Sequence, residues 1–361
     1  MKSVVGSTFF AGLLLLGSLG SWADQRHLKI TGYFDDEGLV GHPAVFPKTV
    51  GEGNTIFVHA RTNPNPVYND FENFKNSPYL NSSHKLILFT DIYSAHLHKY
   101  PWVVPIGSLN LPEDLYVREK IRRVVAFLRG DFTDGRPMWN RVVAIQLADE
   151  PVGPLNASLS VPDLALDWLV TYTRGSILSI GTKGLVIPAF MINYYLDGTA
   201  NWSSHVPAKL DWVATDPYMY PAPGHSTTYS DFQSNVITWV KRAESYGKPV
   251  VIIAQSFGER YSTTQYNGTG PWGCAGGFSE VARQLTLDEE TWYYKYAQQE
   301  SQVVGLLWWT YLDKANWDAK PECFVFMGSA NHNPAVANLH KQWTAEIDPV
   351  VGPSTQGVLN R

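Results

Sequence analysis

Basic charge is the first thing this sequence lacks. Its 28 Lys and Arg are outnumbered by 33 Asp and Glu, for a formal net charge of -5. A nucleic-acid partner would want a basic footprint, so that class of function is set aside. Cysteine is nearly absent, with 2 in the chain, Cys274 and Cys323, and no Cys/His spacing of the kind that holds zinc. No metal or cofactor is expected. Beyond the N-terminus no apolar run is long enough to span a bilayer, and no internal repeat or linker-like composition shift divides the chain.

The N-terminus has the form of an export signal. Lys2 precedes an apolar run from Phe9 to Leu19, and Ser21-Trp22-Ala23 supplies small residues at the exit. Cleavage after Ala23 is expected, with an uncleaved membrane anchor as the alternative. A secreted, periplasmic or cell-surface location follows, with no stable membrane insertion once the signal is removed. Export suits a disulfide between the two cysteines, two free thiols being the other possibility. Sequons at Asn81, Asn156, Asn201 and Asn267 matter only in a eukaryotic secretory pathway.

What is abundant is aromatic: 13% of the chain, including Trp 13 and Tyr 19. Such rings stack on C–H-rich ligands such as sugars, although large cores also use them. Strand-like runs alternate with helix-like ones along the chain. The strands are read at 28–36, 55–60, 85–91, 141–150, 184–193, 210–218, 250–256 and 304–312, with helices at 111–128, 162–177, 231–246 and 287–302 between them. That alternation predicts an α/β fold, a single (β/α)8 TIM barrel over residues 24–349, after a signal over 1–23 and before a polar tail over 350–361.

The stretch Arg141 to Pro151 anchors the functional reading. Val143, Ile145 and Leu147 share one strand face, while Ala144, Gln146, Ala148 and Glu150 share the other, and the strand stops at Asp149-Glu150-Pro151. Other strands also end in polar groups: Asp35, His59, Asp91, Asn193, Asp216, Gln255 and Asp313, with Tyr218, Tyr220, Trp308, Trp309 and Tyr311 nearby. In such barrels reactive groups gather at the carboxyl ends of the strands. A ring of acids with aromatic walls suits cleavage of a glycosidic bond, which needs an acid to protonate the leaving oxygen and a carboxylate opposite it. Each residue also has a plain explanation, as a turn cap, a solvated loop residue or barrel filling.

Asp149-Glu150-Pro151 resembles the Asn-Glu-Pro of the large clan of (β/α)8 glycoside hydrolases. Pro249-Val-Val-Ile and Trp308-Trp309 also resemble that clan. The resemblance implies that Glu150 is the proton donor. The chain departs from the clan in two ways. Asp149 replaces the Asn, and Gln255 stands where the clan carries its nucleophilic Glu; Glu259 lies four residues further on.

An amide cannot attack an anomeric carbon, so three readings stay open. In the first, Glu150 is the acid of an inverting reaction and Asp216 its base, with Asp35 or Asp91 as substitutes. Their carboxyl groups would then lie roughly 6.5–9.5 Å apart. In the second, Asp149 and Glu150 form a substrate-assisted hexosaminidase pair. In the third, the barrel binds sugar without cutting it. The Asp149 charge beside Glu150 is expected to keep the acid's proton on. Tyr33, Asp35, Asp91, Asn193, Tyr218, Tyr220, Gln255 and Trp309 are the candidate sugar contacts, and an oligo- or polysaccharide is the expected partner.

Overall fold

The computed structural model describes residues 27–34, 52–59, 70–89, 115–131, 133–148, 163–178, 187–191, 210–219, 227–256, 258–260, 282–283, 286–309, 314–315, 324–327 and 333–348. Eight parallel strands close into a barrel. They are β1 (Ile30–Tyr33), β2 (Thr55–His59), β3 (Lys85–Phe89), β4 (Val142–Ala148), β5 (Ile187–Met191), β6 (Trp212–Thr215), β7 (Val250–Gln255) and β10 (Val303–Trp309). Neighbours follow chain order, and β10 closes the ring against β1 with Tyr33 opposite Trp308. The expected (β/α)8 barrel is therefore the observed fold.

The strands whose side chains are described divide them between two cores, as a period of two dictates. Ile30, Phe34, Phe57, Ile87, Phe89, Ala144, Trp212, Ala214, Val251, Ile253 and Leu307 fill the barrel interior. Ile56, Val58, Leu86, Leu88, Ile145, Leu147, Val213, Ile252, Leu306 and Trp308 form the outer layer with the helices. Strands buried on both faces read as near-continuous apolar runs, which is why they stand out in the sequence.

Six α-helical segments lie among the described residues, besides a 3-10 turn at Pro78–Asn81: α1 (Asp70–Lys75), α2 (Leu115–Arg129), α3 (Asp163–Leu178), α4 (229–244), α5 (Leu287–Gln299) and α6 (Pro334–Ile347). The middle of α4, Phe232–Ile237, is wound as a π-helix. Thr228 and Asp231 close a capping box at the start of α4, and Thr286 and Glu289 do the same for α5. Each satisfies backbone donors that the first turn would otherwise leave open. Stacked rings of Phe71 and Phe127, 4.4 Å apart, join α1 to α2.

The strand and helix ranges expected from the sequence assign no element to 258–285 or 314–347. The structure instead forms a four-stranded antiparallel sheet from β8 (Gly258–Arg260), β9 (Ala282–Arg283), β11 (Lys314–Ala315) and β12 (Phe324–Met327). It follows β7 and β10 on the carboxyl side of the barrel. Strands of two to four residues carry too few alternations to register as a pattern. Helix α6 does carry a signal, since Asn333 caps its start and Pro334 occupies its first turn.

The tightest point in the barrel wall lies between β1 and β2. A Cβ on Gly32 would sit 2.2 Å from the Thr55 carbonyl oxygen, a backbone atom that cannot rotate away. Gly32→Ala is expected to cost about 1–3 kcal/mol, the usual penalty for overpacking. Urea unfolding should show a lower midpoint at unchanged slope.

Candidate active site

Four described residues of the expected set come together at the carboxyl ends of β6, β7 and β10. Asp216 follows β6 directly and is 6% exposed. It continues the parity of Trp212 and Ala214, both of which belong to the barrel interior. Tyr218, two residues on, stacks against Trp309 at the end of β10, with ring centroids 5.6 Å apart and planes 18° from parallel. Trp309 packs against the interior cluster, whereas its neighbour Trp308 lies in the helical layer. The two tryptophans thus serve opposite faces of one strand.

Gln255 ends β7 on the interior parity of Val251 and Ile253, directly opposite Trp309. It is fully buried, and its Oε1 accepts a hydrogen bond from the Met219 backbone N–H at 2.8 Å. On the outer side, the Tyr293 hydroxyl donates to the Pro217 carbonyl at 2.6 Å. The segment 216–219 is therefore held at two points, and with it the acid and the aromatic wall. The Gln255 Nε2 is buried and meets no hydrogen-bond partner among the described residues. A buried donor left open costs about 1–3 kcal/mol, so this amide is ready to meet an acceptor. The backbone N–H of Met219 is a contact that sequence reasoning missed, because no side-chain pattern announces it.

Gln146 is buried on β4, in register with Phe89 and Ala189 and separated from β6 by β5. The pairing of β4 slips between Gln146 and Ala148, so the simple alternation read from the sequence is broken just before Asp149. Asp149 and Glu150 lie outside the described residues, as do Asp35, Asp91, Asn193, Tyr220, Cys274 and Cys323.

Tyr33 is a correction. It was grouped with the sugar contacts, but it packs in the outer core, where its hydroxyl lies 2.7 Å from His340 Nδ1 and donates to Glu52 Oε2 at 3.1 Å. Phe34, the next residue, is the one that enters the barrel. Tyr33 and Phe34 fall on opposite faces of β1, and nothing in the sequence says which face turns inward.

Among the described residues no three His, Cys, Asp or Glu side chains converge as a metal site requires, and no helix is long and apolar enough to cross a membrane. The chemistry on offer at these strand ends is that of a buried carboxylate, a buried carboxamide and two stacked rings.

No protein-family model matches the sequence, and no curated protein matches it. Solved structures do match in three dimensions. A family 5 glycoside hydrolase mannosidase from Rhizomucor miehei is 12% identical, with a TM-score of 0.53 over 94% of this chain and 99% of that chain. The same mannosidase in complex with mannosyl-fructose gives 11% identity and 0.53, over 91% of this chain and 97% of that one. A hyperthermostable endo-1,4-beta-D-mannanase from Thermotoga petrophila gives 13% and 0.51, over 89% and 99%. Likeness at this identity establishes architecture: the chain has the (β/α)8 barrel fold shared by these glycoside hydrolases.

Proposed function

We propose that this protein is an exported glycosidase that cleaves an oligo- or polysaccharide with inversion of configuration. Glu150 is the general acid and Asp216 the base that activates water. The observation that carries this reading is the burial of Asp216 at a barrel strand end, two residues from the stacked Tyr218–Trp309 pair. The rings offer a flat wall to the C–H face of a sugar, and the carboxylate belongs to the same strand-end segment as Tyr218. Asp35, Asp91, Asn193 and Tyr220 are assigned to the remaining sugar contacts.

Gln255 favours inversion over retention, since its amide supplies no nucleophile and its carbonyl is already committed to Met219. The same residue favours a second reading, a barrel that binds glycans without turnover. Because the fold neighbours include a mannosidase and a mannanase, β-1,4-mannan and manno-oligosaccharides head the list of probes, followed by a wider glycan panel. Release of reducing ends, with the first-formed anomer of opposite configuration by proton NMR, is the expected result. Binding without release supports the binding barrel, and a retained anomer removes Asp216 from its role.

Trp309→Ala tests the wall separately. Losing the stacked ring is expected to weaken oligosaccharide binding by about 0.5–1.5 kcal/mol beyond its buried area. Titration calorimetry reads this directly, and an unchanged affinity would place the sugar elsewhere.

A further inference from the structure

Behind the barrel wall, a chain of buried polar groups joins four elements that are distant in sequence. Glu290 Oε2 of α5 lies 3.1 Å from His340 Nε2 of α6. His340 Nδ1 lies 2.7 Å from the Tyr33 hydroxyl, and that oxygen lies 3.1 Å from Glu52 Oε2 ahead of β2. Glu290 and His340 are fully buried, Glu52 and Tyr33 nearly so. Lys341 reaches the other Glu52 oxygen at 3.2 Å, while Glu290 Oε1 is buried with no hydrogen-bond partner among the described residues. The indole of Trp308 stacks on the His340 ring at 3.9 Å. Across Trp343, which stacks on Tyr294, the Tyr294 hydroxyl donates to Glu346 at 2.6 Å.

Counting protons decides what this chain holds. Glu290 to His340, His340 to Tyr33 and Tyr33 to Glu52 are three contacts, and each needs one hydrogen between its two heavy atoms. Ionised carboxylates with a neutral imidazole supply two, one from the imidazole and one from the phenol. One contact would then be lone pair against lone pair in a site closed to water.

We propose that the Glu290–His340–Tyr33–Glu52 chain holds one extra proton in the folded protein and releases it on unfolding. This makes it a pH-sensitive latch between the barrel and its C-terminal helix. With the third proton present, every contact is a hydrogen bond, and the two acids are balanced by Lys341 and that proton. Burial, ahead of the opposing pull of Lys341, also holds the Glu52 carboxyl above its ordinary value of 4.5. A group raised in the folded state stabilises fully below its unfolded value, and that stability is lost as pH rises through the folded value. The latch therefore weakens with rising pH. Trp308 is fixed by the same chain, and Trp309 follows it in sequence, so the latch sits one residue behind the aromatic wall.

The test is the pH dependence of urea unfolding for the whole chain, wild type against Tyr33→Phe and the double variant Tyr33→Phe/His340→Gln. Removing the phenol deletes two contacts and one proton, and the one contact left is met by a neutral imidazole or an amide without an added proton. Over about pH 5–8 the wild-type unfolding constant should rise with pH more steeply than in either variant. The difference should approach tenfold per pH unit at its steepest, the mark of one proton. Equal slopes overturn the proposal. Should neither variant fold, calorimetric unfolding of the wild type in buffers of different ionisation heat counts the protons directly. Net release near pH 7.5 supports the latch, and no release overturns it.

Discussion

Asp216→Asn should lower turnover of a cleavable glycan by about 10²–10⁴-fold, the usual worth of a positioned base, while oligosaccharide affinity stays within a few-fold. The amide keeps the volume and one carbonyl acceptor of the acid but cannot take a proton from water. Glu150→Gln should give a loss of the same order through the other half of the reaction, since an amide cannot protonate the leaving oxygen. The two variants are separable. A substrate with a good leaving group, such as an aryl glycoside, needs little protonation, so it should recover much of the Glu150→Gln loss and none of the Asp216→Asn loss. Steady-state kinetics on both substrates settles the assignment, and wild-type turnover in Asp216→Asn would end the base role.

These variants draw on positions of unequal standing, and the reason is physical. Asp216 stands out in the sequence because it follows the alternation of Trp212 and Ala214, both of which belong to the barrel interior. Trp309 was readable for the same reason, with Trp308 turning outward one residue earlier. Tyr33 was not, because β1 offers an aromatic on each parity and the choice between Tyr33 and Phe34 depends on what stands behind the strand. That is His340, 307 residues away in sequence. Glu52 and Glu290 escaped notice similarly: each looks like a solvated acid until the fold brings its partner up. Alternation along a strand is local and survives in the sequence. Pairing across the core is not local and does not.

The same contrast explains the small antiparallel sheet. Its pairing partners are set by barrel closure, which brings 258–260 against 324–327, and not by any pattern inside segments so short. Barrel order itself needed no such information, because consecutive parallel strands joined by crossovers fall beside each other by the handedness of the connection.

Arg141→Met is expected to give the largest loss of stability, about 3–5 kcal/mol. Arg141 stands just before β4, at the opposite end from Asp149 and Glu150. Its guanidinium donates to the carbonyls of His84 at 3.0 Å, Leu80 at 2.9 Å and Tyr79 at 2.8 Å, and it lies over the Phe74 ring. No carboxylate among the described residues pairs with it. Burial brings the group down to about 10, well below the arginine range yet still charged at neutral pH. Its charge is thus met by carbonyl dipoles and by the Ser82 hydroxyl, which it reaches at 3.3 Å. Methionine keeps the stem against Phe74 but takes a donor from all three carbonyls, of which only that of Tyr79 keeps the Ser82 N–H and hydroxyl in reach. Lysine should recover less than half the loss, since one ammonium cannot reproduce the planar fork. Arg136→Met is the control, because its ion pair with Asp134 is exposed and screened by solvent. Urea midpoints at constant slope measure all three, and an Arg141→Met loss no greater than the Arg136 control would show that the carbonyls find water instead. The comparison bears on the site as well. Arg141 fixes the start of the strand whose other end leads into Glu150, so a loosened entrance should be felt as a misplaced acid. Arg141→Lys is then expected to lose kcat more than affinity, even at temperatures where it remains folded.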